Sequence, residues 1–189
     1  MFKMTKFVFV LAIISQLTAC VTAVVGGAAL GGSMIADRRT SGIYIEDENI
    51  EIKASSKIQK NLVNESHVNV TSYNRTVLLS GEVASAADKS KAETLVKTIP
   101  NIRSITNEIA VMEKSTFSDR TNDVYVTSMV KGNFLTANKF SVNHVKVVTE
   151  RSVVYLMGLV TQKEADDAVQ IARTTEGVAK VVKLFEYLP

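Results

Sequence analysis

The chain has 189 residues with 22 basic and 19 acidic side chains, a formal net charge of +3, two histidines and a single cysteine. Two of the basic residues are Lys3 and Lys6, so from Cys20 onward 20 basic groups face 19 acidic ones and no strongly cationic surface is implied, which excludes nucleic acid as an expected partner. One cysteine excludes an intrachain disulfide, so stability has to come from packing alone.

Lys3 and Lys6 precede an apolar run from Phe7 to Ile14 that is too short to cross a bilayer, a crossing that takes about 20 apolar residues. Leu17, Thr18, Ala19 and Cys20 follow. The arrangement resembles a bacterial lipoprotein signal peptide, residues 1–19, and the resemblance implies cleavage before Cys20 with acyl chains on its thiol and its new amino group. Two or more chains would anchor stably, whereas one holds only marginally. An ordinary signal peptide followed by a buried thiol is the alternative. Val21 stands where an aspartate typically marks lipoproteins kept in the inner membrane, so the resemblance implies a lipid-anchored protein at the outer membrane with its folded domains facing the periplasm.

Residues 20–43 are small and apolar around Gly26, Gly27, Gly31 and Gly32. Gly26 and Gly31 have the spacing of a phosphate-binding loop, but Gly32 occupies the lysine position, so a nucleotide site is not expected. The segment reads as a flexible tether spanning on the order of 25 to 30 Å, or as a glycine-faced segment associating with the membrane.

Beyond it the chain repeats itself. A shift of 77 places His67, Val68 and Val70 on His144, Val145 and Val147, and Gly81 and Val83 on Gly158 and Val160. The repeat predicts two domains, residues 44–113 and 119–189, joined near Lys114 to Ser118. In the first, Ile50, Ala54, Ile58 and Leu62 make one apolar helix stripe. Val68 and Val70 alternate with polar residues, and Thr76 to Val83 follows after Tyr73, Asn74 and Arg75 as the second arm of a hairpin. Ser85 and Asp88 open a second helix that stops before Pro100. In the second copy Val126, Val130 and Phe134 form the stripe, at a shift of 76, and Thr161 with Glu164 has capping-box spacing. Gly177 ends that helix, and a last strand runs from Val178 toward Tyr187. The fold class is therefore α+β, each copy α-β-β-α-β with two helices on one face of a three-stranded sheet. The third strand runs with the second, but its neighbour is left open.

The stripe helix, the valine-rich hairpin ending Ser80-Gly81-Glu82-Val83 or Met157-Gly158-Leu159-Val160, the alanine-containing helix and the Gly177-Val178 start of the last strand resemble the BON domain. Two such domains behind a lipoprotein signal are similar to the dual-BON outer-membrane lipoproteins of Gram-negative bacteria. The resemblance covers nearly the whole chain and is most specific in the second copy; the first departs from it with Pro100-Asn101 in place of Glu176-Gly177. It implies phospholipid binding at the outer membrane and a role in envelope integrity.

Nothing in the residues points to an enzyme. His67 and His144 fall outside the inward alternation and lack a ligand at metal spacing, Asp166 and Asp167 face different ways on one helix, and no cofactor, metal site or catalytic set is expected. Gly81 and Gly158 read as a bulge or a tight strand end, with a ligand contact as the alternative. Tyr125, Met129 and Gly132 flank the second stripe where the first copy has Asn49, Lys53 and Ser56. The second domain also has 10 basic and 8 acidic groups over residues 114–189, against 8 and 10 over residues 44–113. The expected binding set for an anionic phospholipid membrane is thus Tyr125, Ser128, Met129, Lys131, Gly132 and Lys139, with Tyr125 and Met129 as an apolar wedge or as a contact with the other domain. The second reading is a module for an envelope protein partner, an outer-membrane assembly factor or a peptidoglycan enzyme, bound through the sheet's outward face or an edge strand.

Overall fold

A computed structural model describes residues 37–62 and 66–189. The expected signal peptide, Cys20 and the glycine-rich segment lie outside the described residues.

The first copy consists of helix α1 (Ser41–Asn61), strands β1 (His67–Tyr73) and β2 (Thr76–Val83), helix α2 (Ala86–Lys97) and the short strands β3 (Ser104–Asn107) and β4 (Ala110–Val111). The second consists of α3 (Phe117–Ala137), β5 (Val145–Glu150), β6 (Val153–Val160), α4 (Gln162–Arg173) and β7 (Lys180–Tyr187). Each helix start has a polar cap: Thr40, Ser85, Thr116 and Thr161 accept the backbone N–H of Ile43, Asp88, Asp119 and Glu164. Thr116 with Asp119 and Thr161 with Glu164 complete capping boxes.

The order in each sheet is first strand, second strand, third strand, so the strand left unplaced by alternation lies parallel to the hairpin's second arm. In the second copy it pairs without interruption from Lys180 to Tyr187. In the first it breaks between Asn107 and Ala110 without changing register, because the Ile109 N–H turns to the Asn107 side-chain oxygen, 3.3 Å away. Asn101 takes the positive φ, 68°, that Gly177 takes at 84° in the other copy, so the Pro100-Asn101 departure leaves the backbone path intact. Gly81, with φ of 104°, and Gly158 let the incoming strand pass closely: a Cβ on either would stand 2.0 or 2.4 Å from the carbonyl oxygen of His67 or His144.

Both hairpins turn on two residues of positive φ, Asn74 and Arg75 in one, Arg151 and Ser152 in the other. This geometry suits the strand twist but strains residues with a side chain. Each turn is held from the opposing helix by a buried aspartate. Asp47 accepts the N–H groups of Asn74 and Arg75 at 2.8 and 2.7 Å, and Asp123 those of Arg151 and Ser152 at 2.8 and 2.9 Å.

The helices cover one face of each sheet. Ile50, Ala54 and Ile58 pack with Val77, Leu79 and Val96 in one core, and Val126, Val130 and Phe134 with Val154, Leu156 and Ala168 in the other. The opposite faces meet each other: Tyr73, Leu78, Tyr155 and Met157 form a third buried cluster between the two sheets. Leu78 and Tyr155 are equivalent under the shift of 77. The sheet's outward face, expected as a surface for a protein partner, is therefore covered by the other copy. Around Leu78, Tyr155 and Met157 that face is apolar and is buried by stacking, while in the first domain it also carries Ser80 and Glu82, both buried. Polar pairs rim the contact, Arg151 with Glu82 at 2.7 Å and Lys146 with Glu51 at 2.7 Å.

Residues 37–43, expected as the end of the tether, belong to this folded unit. Arg39 pairs with Asp37 and Asp47 in the first copy, while Arg38 makes a two-pronged bond to Glu164 in the second, at 2.7 and 2.8 Å. The Arg38 guanidinium holds the Glu164 carboxyl down from 4.5 to about 2. A carboxyl depressed in the folded state contributes stability that is present above its unfolded pKa and lost as pH falls through the folded one. This contribution fades between about pH 4.5 and 2. Arg38→Gln is expected to lower the melting temperature at pH 7 and to change it little at pH 2. An equal drop at both would assign the effect to packing instead of charge.

Candidate functional site

The exposed surface of α3 is the strongest candidate. A stripe of Val126, Val130 and Phe134 turns inward, yet the helix leaves Phe117, Val124, Tyr125 and Leu135 between 61% and 79% exposed. At 3.6 residues per turn, Phe117, Val124 and Leu135 share one line on the side away from the core, and Tyr125 lies a step around from it. The equivalent helix α1 exposes only Ile45 and Ile52 among its large apolar residues.

The expected residues are not all alike. Tyr125 and Ser128 are exposed, Met129 and Gly132 half-buried, and Lys131 exposed. Tyr125 is 61% exposed. The Ser128 hydroxyl donates back to the Val124 carbonyl at 2.9 Å, within its own helix. Lys139, two residues past the helix, holds Asp167 at 2.8 Å and is not a free cation. The sequence reading does not include Phe117, Val124 and Leu135, although their spacing of 7 and 11 residues opposite the core stripe is a signal that could have found them.

A groove of about 580 Å³ runs beside the same helix, between α3 and the first strands of both copies. Ser128 and Lys131 line it together with Val124, Arg120, Asp123, Thr127, His67, Asn69 and Glu150. Burial pushes the Glu150 carboxyl up, and the nearby charges of Glu82 and Asp123 push the same way against the hydrogen bond from Asn69. Burial lowers the His67 pKa.

His67 follows the alternation, since it lies in β1 on the face of Asn69 and opposite Val68 and Val70, whereas His144 lies before its strand begins. His144 ends a single 3₁₀ turn, Val142–His144, so the strand period does not yet apply to it. Its side chain is 16% exposed, and Nδ1 lies 3.3 Å from a Glu164 oxygen. His67 is half-buried against Asn69, 3.2 Å away. Among the described residues no group of three or more histidine, cysteine or carboxylate side chains could hold a metal ion. Gly81 and Gly158 meet the backbone of the incoming strand, as described above. Among the described residues no helix is long and apolar enough to cross a membrane.

A family model described as BON domain matches residues 46–113 and again 122–189. The chain is 37% identical over 174 residues to a protein of Haemophilus influenzae named outer membrane lipoprotein DolP, covering 91% of this chain and 90% of that one. It is 31% identical to the 21 kDa hemolysin of Actinobacillus pleuropneumoniae over 80% of this chain and 79% of the relative. To the osmotically-inducible protein Y of Escherichia coli it is 28% identical, over 74% and 72%.

Proposed function

The chain belongs to the BON domain family, with two copies of the domain in tandem, and from that premise we propose that it is a non-catalytic outer-membrane lipoprotein whose second domain lies against anionic phospholipid and supports envelope integrity. The relative named an outer membrane lipoprotein supports the destination, and Cys20 is the residue that would carry the lipid. The domains would face the periplasm. The observation that carries the membrane reading is the apolar line on α3, because Phe117, Val124, Tyr125 and Leu135 are exposed beside Lys131 while the helix already has a complete inward stripe. An amphipathic surface of this kind binds by burying apolar side chains at the headgroup boundary and by attracting anionic lipid. Tyr125 suits it, since the ring can bury while the hydroxyl stays wet. Met129 and Gly132 would follow the bilayer along the same flank. Lys139 would contribute less than Lys131, because Asp167 already holds it.

The test uses residues 20–189 carrying Cys20→Ala, which removes the signal peptide and the acyl chains, and compares variants in that one background so that any affinity of the glycine-rich segment is common to all of them. Binding is measured to vesicles containing phosphatidylglycerol. Tyr125→Ala is expected to weaken binding about tenfold, as loss of one inserted aromatic would, with little change in melting temperature. Lys131→Glu should weaken it more at low salt than at high salt, where screening already reduces the charge contribution. Vesicle binding that is unchanged in both variants would sink the reading.

A further inference from the structure

We propose that the groove beside α3 docks an extended, arginine-bearing segment of a partner protein, whose guanidinium takes the place opposite Asp123 that Arg39 takes opposite Asp47. This goes beyond the membrane reading and does not depend on it.

Asp47 and Asp123 are equivalent under the shift of 76 that aligns α1 with α3. Both cross to their own hairpin turn and both are nearly enclosed, at 2% and 5% exposed. Their partners differ. Asp47 accepts four donors: the N–H groups of Asn74 and Arg75, the Ser72 hydroxyl at 2.6 Å and Arg39 Nη1 at 2.7 Å. Asp123 accepts only the two turn N–H groups among the described residues. An ionised carboxylate has room for about four hydrogen bonds, and one left half-satisfied in a buried setting is costly. Thr149, at the position of Ser72, accepts from the Thr127 hydroxyl at 2.7 Å and is not bonded to Asp123.

The open groove lies where the first copy is filled. There Arg39 stacks over the rings of Tyr73 and Tyr44, at 4.0 and 4.9 Å, and Lys146 closes the side by pairing with Glu51. Tyr73 corresponds to Glu150 and Tyr44 to Arg120. The second place therefore offers a second carboxylate in place of a ring. The pressure on Glu150 from burial and from neighbouring carboxylates is what an entering cation would relieve. Arg120 is turned away to the Ser115 carbonyl at 2.6 Å, so it does not already serve as that cation.

An extended segment fits better than a small free cation. Arg39 reaches Asp47 from a stretch that enters α1 through Thr40 in extended conformation. The groove is bordered by β1 and β5, each paired on one side only, which leaves edges that a strand-like segment can follow. Arginine is favoured over lysine because a planar fork can meet Asp123 and Glu150 together. Asp123 and Glu150 argue against a lipid phosphate beside them, although Arg120 and Lys131 also line the groove.

The probe is a labelled, capped heptapeptide with the sequence of residues 35–41, Ile-Ala-Asp-Arg-Arg-Thr-Ser, added to residues 20–189 carrying Cys20→Ala. A version with citrulline at both arginines serves as comparison. Binding of the arginine peptide at least tenfold tighter than the citrulline peptide is expected. It should fall at least fivefold with Glu150→Gln, which keeps the size of the side chain, and also with Asn69→Trp, which blocks the groove from the exposed face of β1. Because Asp123→Ala would also loosen the hairpin turn, these two variants carry the test. Equal binding of the two peptides, or arginine-peptide binding untouched by both variants, overturns the proposal. So does loss of phosphatidylglycerol vesicle binding in Asn69→Trp without peptide binding to the parent, since the groove would then be a lipid site.

Discussion

Asp47→Ala is expected to lower the unfolding free energy by about 3 to 5 kcal/mol, the range found when one partner of a buried charged pair is removed. Two costs combine. The hairpin turn at Asn74 and Arg75 loses the acceptor that holds both N–H groups in left-handed geometry, and Ser72 loses its partner. Arg39, whose side chain is only 6% exposed, is left with Asp37 as its remaining carboxylate. The same change at Asp123 removes two hydrogen bonds and strands no described cation, so it should cost clearly less. Denaturant unfolding of the two variants side by side checks this. Equal losses would mean that turn capping is the whole effect and that the Arg39 pair adds nothing measurable.

Those two aspartates also mark where reading from the sequence stopped. The stripes of Ile50, Ala54 and Ile58 and of Val126, Val130 and Phe134 are legible because a helix face against a sheet imposes a strict spacing, and all six are buried. The turns at residues 74–75 and 151–152 are legible only as breaks between strands. Neither contains the glycine that usually marks positive φ, since the conformation is held from a helix more than 20 residues away. The stacking of the two sheets left a fainter sign. Val77, Leu78 and Leu79, and likewise Val154, Tyr155 and Leu156, are apolar without alternation, as a strand covered on both faces would be. On α3 the flank containing Tyr125 could be placed from helix geometry, but the ion pair that ties up Lys139 could not. It depends on Asp167, which the fold and not the chain brings near.

Phe134→Ala is the second large effect, and it separates the two faces of α3. Phe134 is fully buried and meets Phe140 edge-on with ring centres 5.0 Å apart. Truncating such a ring costs about 3 to 5 kcal/mol through lost transfer energy and the cavity left behind, on the order of 10 °C in melting temperature for a protein of this size. Tyr125, by contrast, is 61% exposed on the other side of the helix and gives up little folding energy when truncated. The two sheets share an apolar contact through Leu78 and Tyr155, so loss of the second core should pull down the first, and Phe134→Ala should unfold in one transition. At a temperature where the variant remains folded, its binding to phosphatidylglycerol vesicles should match that of the parent. A Phe134→Ala protein that is stable but no longer binds would place the inward stripe itself in the membrane contact, by an opening of α3 away from its sheet.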